Sequence, residues 1–518
     1  MRRRRPPRVP ASVNRHFPLA VRTTMASTRE GPRGMFLDGQ ELTTGERERR
    51  TLLDPATGRP LATVSEGTRD DARAAVESAL RAFETSGWPA PDGQRRGQVL
   101  GRIAQTLAQR WEEFARLETL NQGKPLRESK ADVLYAARTL EYYAGLADKV
   151  QGETIPVPGD RLDYTLREPL GVTVHIAPWN YPLQLAVRSL APALAAGNAA
   201  VLKPASWTPL TALAFAKLAT ESGLPPGLLN VVPGPGREVG EALVTDRRVA
   251  SVSFTGSPAV GRRIGELAAS RVIPVTLELG GKGPNIVFSD ADLERAARGV
   301  SFGIFLNAGQ MCWAGSRLLV QEEVKERLLA RVRELALKLK LGPGLEPGVE
   351  MGPLVTREHR AVVEGYVAKG VEEGAVPLVG GPGAAVPVGL EEGSFLPPTI
   401  FDAVSPGMTV AREEIFGPVL CAMSFRTPDE ALALANDSDY GLLAGVWTRD
   451  LSVAHRMARG LQAGMVSVNE YPVTFPQTPF GGYKQSGLGF EQGARALEFY
   501  TRQKNVNVNF SPSRRPGA

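Results

Sequence analysis

The chain is predicted to be an α/β protein: a doubly wound parallel sheet, a second α/β unit and a small projecting β arm. Three observations predict it. Between Gly171 and Glu278 five short apolar strands (GVTVHIA, AAVLKP, LLNVVPG, ASVSFTG and VIPVTLEL) alternate with helical stretches, a pattern that implies right-handed crossovers and a parallel sheet. From NIVF onward the same alternation resumes around a different set of apolar residues. Residues 152–170 carry turn signals from Pro156 to Gly159 and alternating Leu162, Tyr164 and Leu166, which read as a hairpin without local cover, suited to pairing with another subunit. At 518 residues more than one core is expected. The expected units are 34–148 with 171–280, then 281–496, and an arm of 149–170 with 497–510. Residues 1–33 and 511–518 are left as an extension and a tail.

Taken in order, MFLDGQEL reads as a strand and turn, and TLLDPATGRPLATV as a second strand pair punctuated by Pro and Gly. Ala75, Val76, Ala79, Leu80 and Phe83 recur at helical spacing. One helix is expected through Val99, Ile103, Leu107, Phe114 and Leu117, and another through Val133, Leu140, Tyr143 and Leu146. None of these three carries a chemical signature. In the doubly wound region PLQLAVRSLAPALAA, TPLTALAFAKLATESG, REVGEALV and SPAVGRRIGELAA are the helices. Beyond it, RLLVQ, PLVGG, TIFDAV, VLCAMSF and MVSVNEY read as strands, VKERLLARVRELALKL, PDEALALAN and VAHRMARG as helices, and VNVNF as a last strand extending the arm.

The net charge of +6 belongs to the ends of the chain. Residues 1–33 hold nine arginines against one glutamate, and Arg514 and Arg515 add two more positive charges; removing +8 and +2 leaves −4 on residues 34–513. A nucleic-acid surface is therefore not expected. The head resembles a transit peptide in composition, but Pro6, Pro7, Pro10 and Pro18 spoil an amphipathic helix. It is read as a disordered or non-native extension, with targeting as the lesser alternative and Met25 or Met35 as other possible starts. The four histidines are scattered and the two cysteines, Cys312 and Cys421, lie far apart, so neither a zinc site nor a disulfide framework is expected. The longest apolar run, LQLAVRSLAPALAAGNAAVL, is interrupted by Arg188 and Gly-Asn, which reads as buried helix and strand and not a membrane span. The expected location is the cytoplasm.

Ligands of doubly wound sheets bind at the carboxyl ends of the strands. Here those ends are Pro178–Asn180, Lys203, Pro233–Gly236, Phe254–Ser257 and Glu278. Asn180, between two prolines in PWNYP, offers an amide N–H to a developing oxyanion. Lys203 suits cofactor hydroxyls or phosphate, and PGPG and FTGS are Gly-rich turns feeding helices, which suits a pyrophosphate. No GxGxxG of the usual dinucleotide kind occurs in this region. Glu278 stands one residue ahead of Gly280–Gly281, a pair that permits close backbone approach by a ligand or another segment. Cys312, after the small polar run NAGQM, has the setting of a nucleophile, whereas Cys421 inside VLCAMSF has that of an inert core residue.

In this order and at compatible spacing, PWNYP, VLKPAS, NVVPGPG, SFTGS, LELGGKGP, NAGQMCWAGSR, REEIFGPV and PFGGYKQSGLG resemble the aldehyde dehydrogenase superfamily, over about residues 34 to 510. The 34 residues from Glu278 to Cys312 are the most specific part of the match. The resemblance implies the aldehyde dehydrogenase-like fold: a Rossmann-type cofactor domain, a catalytic domain (281–496) and an oligomerisation arm. It further implies oxidation of an aldehyde to a carboxylic acid with NAD or NADP, in a homodimer or homotetramer. Cys312 would form a thiohemiacetal, Asn180 and the Cys312 N–H would hold the oxyanion, hydride would leave to the nicotinamide, and Glu278 would activate the water that hydrolyses the thioester. Glu491 would lie on a proton path. The cofactor would meet Pro178, Trp179, Lys203, Ser206, Gly236, Phe254, Gly256, Ser257, Leu279, Glu414 and Phe416. Arg188, Tyr181 and Trp313 would line the substrate tunnel.

Departures from the family pattern sharpen these expectations. Where members restricted to NAD often carry a glutamate, this chain has Ser206, which removes repulsion of a 2′-phosphate and tilts the expectation slightly to NADP. Phe490 replaces the usual arginine before Glu491, which puts a charge network there in doubt. Arg188 would repel a quaternary ammonium and suits a carboxylate or hydroxyl, pointing to a polar or acidic aliphatic aldehyde such as a semialdehyde; Leu306, where a succinic semialdehyde enzyme has a second arginine, argues against that particular substrate. A CoA-acylating relative is the alternative, disfavoured by the presence of Glu278, and a non-catalytic homologue is disfavoured by the intact Cys312, Glu278, Asn180 and Lys203.

Overall fold

The computed structural model describes residues 34–43 and 48–511; the expected basic extension and all but the first residue of the tail lie outside them. Five strands alternating with helices do form a parallel sheet. Their spatial order is Leu229–Val231, Ala199–Lys203, Val172–Ile176, Val249–Thr255, Val275–Glu278. The chain runs outward in one direction from Val172–Ile176 and later returns to its other side, so the crevice of a doubly wound sheet opens between the ends of Val172–Ile176 and Val249–Thr255. The expected strand and turn at MFLDGQEL becomes a hairpin, Met35–Leu37 with Gln40–Leu42, joined to the edge through Phe36 and Val231. At the opposite edge Gly487–Leu488 pairs antiparallel with Leu277–Glu278. A late segment of the chain thus closes over the strand that ends at Glu278.

The second sheet has seven strands, in the order Val376–Val379, Thr399–Asp402, Val419–Phe425, Arg317–Gln321, Pro284–Val287, Leu443–Trp447 and Met465–Val468. All its pairs are parallel except the edge strand Val376–Val379. Each sheet has its own buried apolar cluster. Helix Pro182–Ala195 joins the two: Leu183, Ala186 and Val187 pack into the first cluster, Tyr181 and Leu185 into the second. Pro182 opens that helix at a position whose N–H has no intrahelical partner to lose. The arm is a three-stranded sheet in which Arg161–Pro169 lies between Thr154–Ile155 and Thr501–Asn509, in register from Thr501 opposite Pro169 to Asn509 opposite Arg161.

Two expected helices differ. The single helix through Val99 and Leu117 is two, Gly93–Gln109 and Trp111–Gln122, broken at Arg110. The apolar stripe continues in phase across the break, so periodicity hides it; Arg110 is held outside helical geometry while its guanidinium bonds Glu113 and Glu221. REVGEALV is not a regular helix either: Gly236–Gly240 forms a wide π turn that tightens into the short helix Glu241–Thr245. Among the described residues no helix is long and apolar enough to cross a membrane.

Candidate active site

Glu278 ends its strand 2% exposed, and neither carboxylate oxygen has a hydrogen-bond partner. Burial raises its pKa well above the carboxylate range, opposed by Arg188 and reinforced by Glu491. A solvated strand-end residue would show none of this. The two glycines that follow explain how the second unit comes so close. A Cβ on Gly280 would stand 2.2 Å from Oε2 of Glu414, and one on Gly281 2.1 Å from the Cys312 carbonyl oxygen. Glu414 accepts the Gly281 N–H at 2.9 Å, and burial pushes its carboxyl up to about 7.

Cys312 follows helix Leu293–Phe305 through a turn in which Asn307, Ala308 and Gly309 all have positive φ (48°, 51° and 73°). Two of the three are not glycine, which is uncommon and strained. The turn is held from several sides. Asn307 Nδ2 donates to the Asn180 carbonyl at 3.0 Å, Asn180 Nδ2 donates to the Gln310 carbonyl at 2.9 Å, and Gln310 Oε1 accepts the Val355 N–H at 2.9 Å. One amide hydrogen of Asn180 is therefore committed, leaving the other for the pocket. Burial pushes the Cys312 thiol up to about 12, with Arg188 acting against the shift. Cys421 is fully buried and donates to the Val410 carbonyl.

A narrow pocket is lined by Asn180, Tyr181, Gln184, Leu185, Arg188, Cys312, Trp313, Thr474, Phe480 and Gln492. Arg188, expected in the tunnel, is there, but it is not free: its Nε donates to Glu491, whose other oxygen accepts from Ser253 at 2.9 Å. The guanidinium lies 4.3 Å from the centre of the Phe480 ring, and Nη2 has no partner. The charge network doubted because of Phe490 therefore exists, its arginine supplied by helix Pro182–Ala195; Phe490 itself packs edge-on against Phe499. Trp313 flanks Phe480 and its carbonyl accepts from Tyr471 at 2.7 Å.

At the carboxyl ends of the first sheet, Lys203 is 5% exposed and its ammonium donates to the Pro204 carbonyl at 3.1 Å; burial lowers its pKa to about 8. Ser206 Oγ donates to the Gly234 carbonyl at 3.1 Å. Gly236 has open space where a side chain would be, and Gly256 lies so close to Phe254 that a Cβ would stand 2.5 Å from its ring. Ser257 caps helix Pro258–Ala269, whose free N–H groups and dipole favour a phosphate. Leu279 donates its N–H to Ser486. Trp179, after Pro178, meets Phe416 edge-on at 5.2 Å and His359 at 5.0 Å, and His359 Nε2 donates to the Phe416 carbonyl. An ammonium, a helix N-terminus, open glycine and an aromatic wall fit a nicotinamide dinucleotide laid across the strand ends towards Cys312.

The match to known proteins agrees with this geometry. The model of the Aldehyde dehydrogenase family covers residues 42–506. The chain belongs to the aldehyde dehydrogenase family. It is 45% identical to the betaine aldehyde dehydrogenase of Bacillus subtilis over 92% of this chain and 98% of that one. It is 44% identical to the 4-trimethylaminobutyraldehyde dehydrogenase of Sus scrofa over 88% and 92%. Among solved structures, a betaine aldehyde dehydrogenase from Staphylococcus aureus in complex with NAD+ superposes with a TM-score of 0.90 at 41% identity, over 93% of this chain and 95% of that one. The enzyme is thus an aldehyde-oxidising oxidoreductase with a Rossmann-type domain and a catalytic domain.

Sequence reasoning missed three parts of this dehydrogenase's site. Gln492 lines the pocket in a left-handed conformation (φ 64°), with Nε2 on the Tyr135 hydroxyl; its position beside Glu491 was the only available signal. His359 comes from a distant helix and had none. The helices set aside as chemically silent bury Glu118, Glu128 and Asp132, and the connection between two of them buries Lys124. Glu128 and Asp132 stand four apart on one helix face, but Arg127, Ser129 and Lys130 around them gave no sign of burial.

Proposed function

We propose that this dehydrogenase oxidises a polar or acidic aliphatic aldehyde to its acid by covalent catalysis at Cys312, with Glu278 as the base for hydrolysis. What carries the reading is the burial of Glu278 with both oxygens unpartnered, at a strand end whose following glycine touches the Cys312 carbonyl. Cys312 Sγ adds to the aldehyde carbon as its thiol proton passes to water, and the free amide hydrogen of Asn180 with the Cys312 N–H steadies the oxygen that becomes negative. When bound, the dinucleotide supplies a hydride acceptor. Glu278 then takes a proton from the water that opens the thioester and returns it to the departing sulfur, releasing the acid and restoring the thiol. Glu491, bonded to Arg188 and Ser253, is read as a proton-path residue behind the pocket. A CoA-acylating reaction needs no such base, so turnover without CoA separates the two.

The substrate class rests on Arg188. Its relatives named for trimethylammonium aldehydes favour a second reading, in which aromatic faces hold a cation. Here, however, the guanidinium already covers the Phe480 ring while its Nη2 remains unpartnered, so a donor, not a bare aromatic face, is offered to the substrate. Comparing kcat/KM for aldehydes bearing a terminal carboxylate, a hydroxyl, a trimethylammonium or only an alkyl chain tests this; preference for the cation would overturn it.

NAD+ is the cofactor of the solved relatives. We read Ser206 as admitting NADP+ as well, with a slight lean towards it, because a small neutral side chain there places no negative charge against a 2′-phosphate. The arm, which exposes Ile155, Leu162 and Leu166, is read as the element that pairs subunits into a dimer or tetramer, and the cytoplasm as the site of action.

A further inference from the structure

We propose that Glu128 is a positioning residue for the nucleophile turn, acting through a single hydrogen bond to the backbone of Asn307. Glu128 stands in the first turn of helix Leu126–Ala144, where the helix dipole favours a carboxylate. It is 6% exposed, and its Oε2 accepts the Asn307 N–H at 2.9 Å across 179 residues of sequence. Asn307 is the first of the three positive-φ residues before Cys312, and its side chain is what ties that turn to the Asn180 carbonyl. The Glu128 carboxylate is thus the acceptor for the N–H at which the strained turn begins, and through Asn307 it reaches both the nucleophile and the oxyanion donor.

The surroundings make this bond specific. Lys124 Nζ lies 2.7 Å from Asp132 and 3.7 Å from the centre of the Tyr181 ring, so the same buried cluster touches the residue after Asn180 as well. Glu118, fully buried, brings a third carboxylate to this one ammonium. Three buried acids around one buried ammonium make an expensive arrangement for packing alone. Only one of the three acids, Glu128, accepts a hydrogen bond from the nucleophile turn. A strained turn persists only where its surroundings over-determine it, and this bond is one of those constraints. If it is lost, the turn can relax towards ordinary φ values and carry Sγ away from the attack position.

The proposal rests on Cys312 being the nucleophile, and the test separates the two. Glu128→Asp keeps the charge but withdraws the oxygen by one methylene; Glu128→Gln gives up the charge but keeps an acceptor at full reach. Alkylation of Cys312 by iodoacetamide needs no aldehyde or cofactor, and Cys421 is buried. For Glu128→Asp we expect slower alkylation and a kcat lower by about 10²-fold, the scale of an ångström-sized misplacement, with the aldehyde KM little changed and the melting temperature retained. Glu128→Gln should recover most of both rates. An Asp variant as active as the wild type, or a Gln variant as impaired as Asp, overturns the proposal. Aldehyde-dependent NADH formation surviving in Cys312→Ala overturns instead the reading of the nucleophile.

Discussion

Arg188 and Glu491 form an ion pair with side chains only 4% and 2% exposed, in which Arg188 lines the pocket that holds Cys312. The two residues lie 303 positions apart in the chain, one on the helix that bridges both cores and the other in the segment after the strand Gly487–Leu488. Removing one partner leaves a buried charge without its counter-ion, which costs about 3–5 kcal/mol.

Arg188→Ala should therefore lower the urea midpoint clearly, and Arg188→Met with Glu491→Gln should recover much of the loss. The same single variant should reduce kcat/KM for carboxylate-bearing aldehydes far more than for simple alkanals. Equal losses on both would show that Arg188 does not read the substrate.

Glu278→Gln should separate acylation from hydrolysis. The thiol still adds to the aldehyde, but nothing removes a proton from the incoming water, so NADH forms in a burst of one equivalent per site. Steady-state kcat should then fall by about 10²–10⁴-fold, the usual contribution of a general base. Intact mass after a single turnover should show the acyl adduct. In the wild type, the raised pKa of Glu278 means that the ionised base is lost as pH falls, at a pH above the ordinary carboxylate range. The acidic limb of kcat should lie there, and a limb near 4.5 would contradict the assignment.

Glu118, Glu128 and Glu414 are each raised by burial from 4.5 to about 7. The folded state therefore binds more protons than the unfolded chain between those values, and the linkage runs towards lower stability as pH rises. The stabilisation is complete below about 4.5 and gone once pH passes about 7. Urea unfolding across that window should show a falling free energy, and Glu118→Gln should flatten the slope by about one proton. An unchanged slope would mean that Glu118 is ionised in the fold throughout.

What the sequence disclosed follows from range. The strand ends, and hence Asn180, Lys203, Ser257 and Glu278, were readable because period and turn chemistry are local. The pairing of Arg188 with Glu491 spans 303 residues and leaves no local mark, so Phe490 wrongly cast doubt on a network at Glu491. The burial of Glu128 was hidden for a related reason: a carboxylate on a helix reads as solvated until its neighbours are known. The break at Arg110 escaped because a helix can bend without disturbing the phase of its apolar stripe.

Ser206→Glu should restrict the cofactor. The hydroxyl now caps the Gly-rich turn through the Gly234 carbonyl, and a carboxylate there would place a negative charge where a 2′-phosphate would need to sit. We expect kcat/KM with NADP+ to fall by about 10-fold or more, the order of a charge repulsion of about 1.4 kcal/mol or above, with NAD+ much less affected. A wild-type enzyme already strongly selective for NAD+ would show that Ser206 does not open the site to NADP+.

Gly281→Ala tests the contact between strand end and nucleophile most directly. The added methyl would stand 2.1 Å from the Cys312 carbonyl oxygen and 3.4 Å from Leu442 Cβ. The first neighbour is backbone, three residues beyond a turn already held at positive φ, so it cannot swing aside as a side chain would. Either the strand end or the nucleophile must move, and Glu414 would lose its bond to the Gly281 N–H in the process. We expect a fall in kcat of about 10²-fold, together with slower alkylation of Cys312. Gly365→Ala is the control: it lies on helix Arg357–Glu372 with nothing within 4 Å of the added carbon, and should stabilise by about 0.5–1 kcal/mol. If Gly281→Ala behaved like that control, the strand end and the nucleophile would not be in the contact on which the site depends.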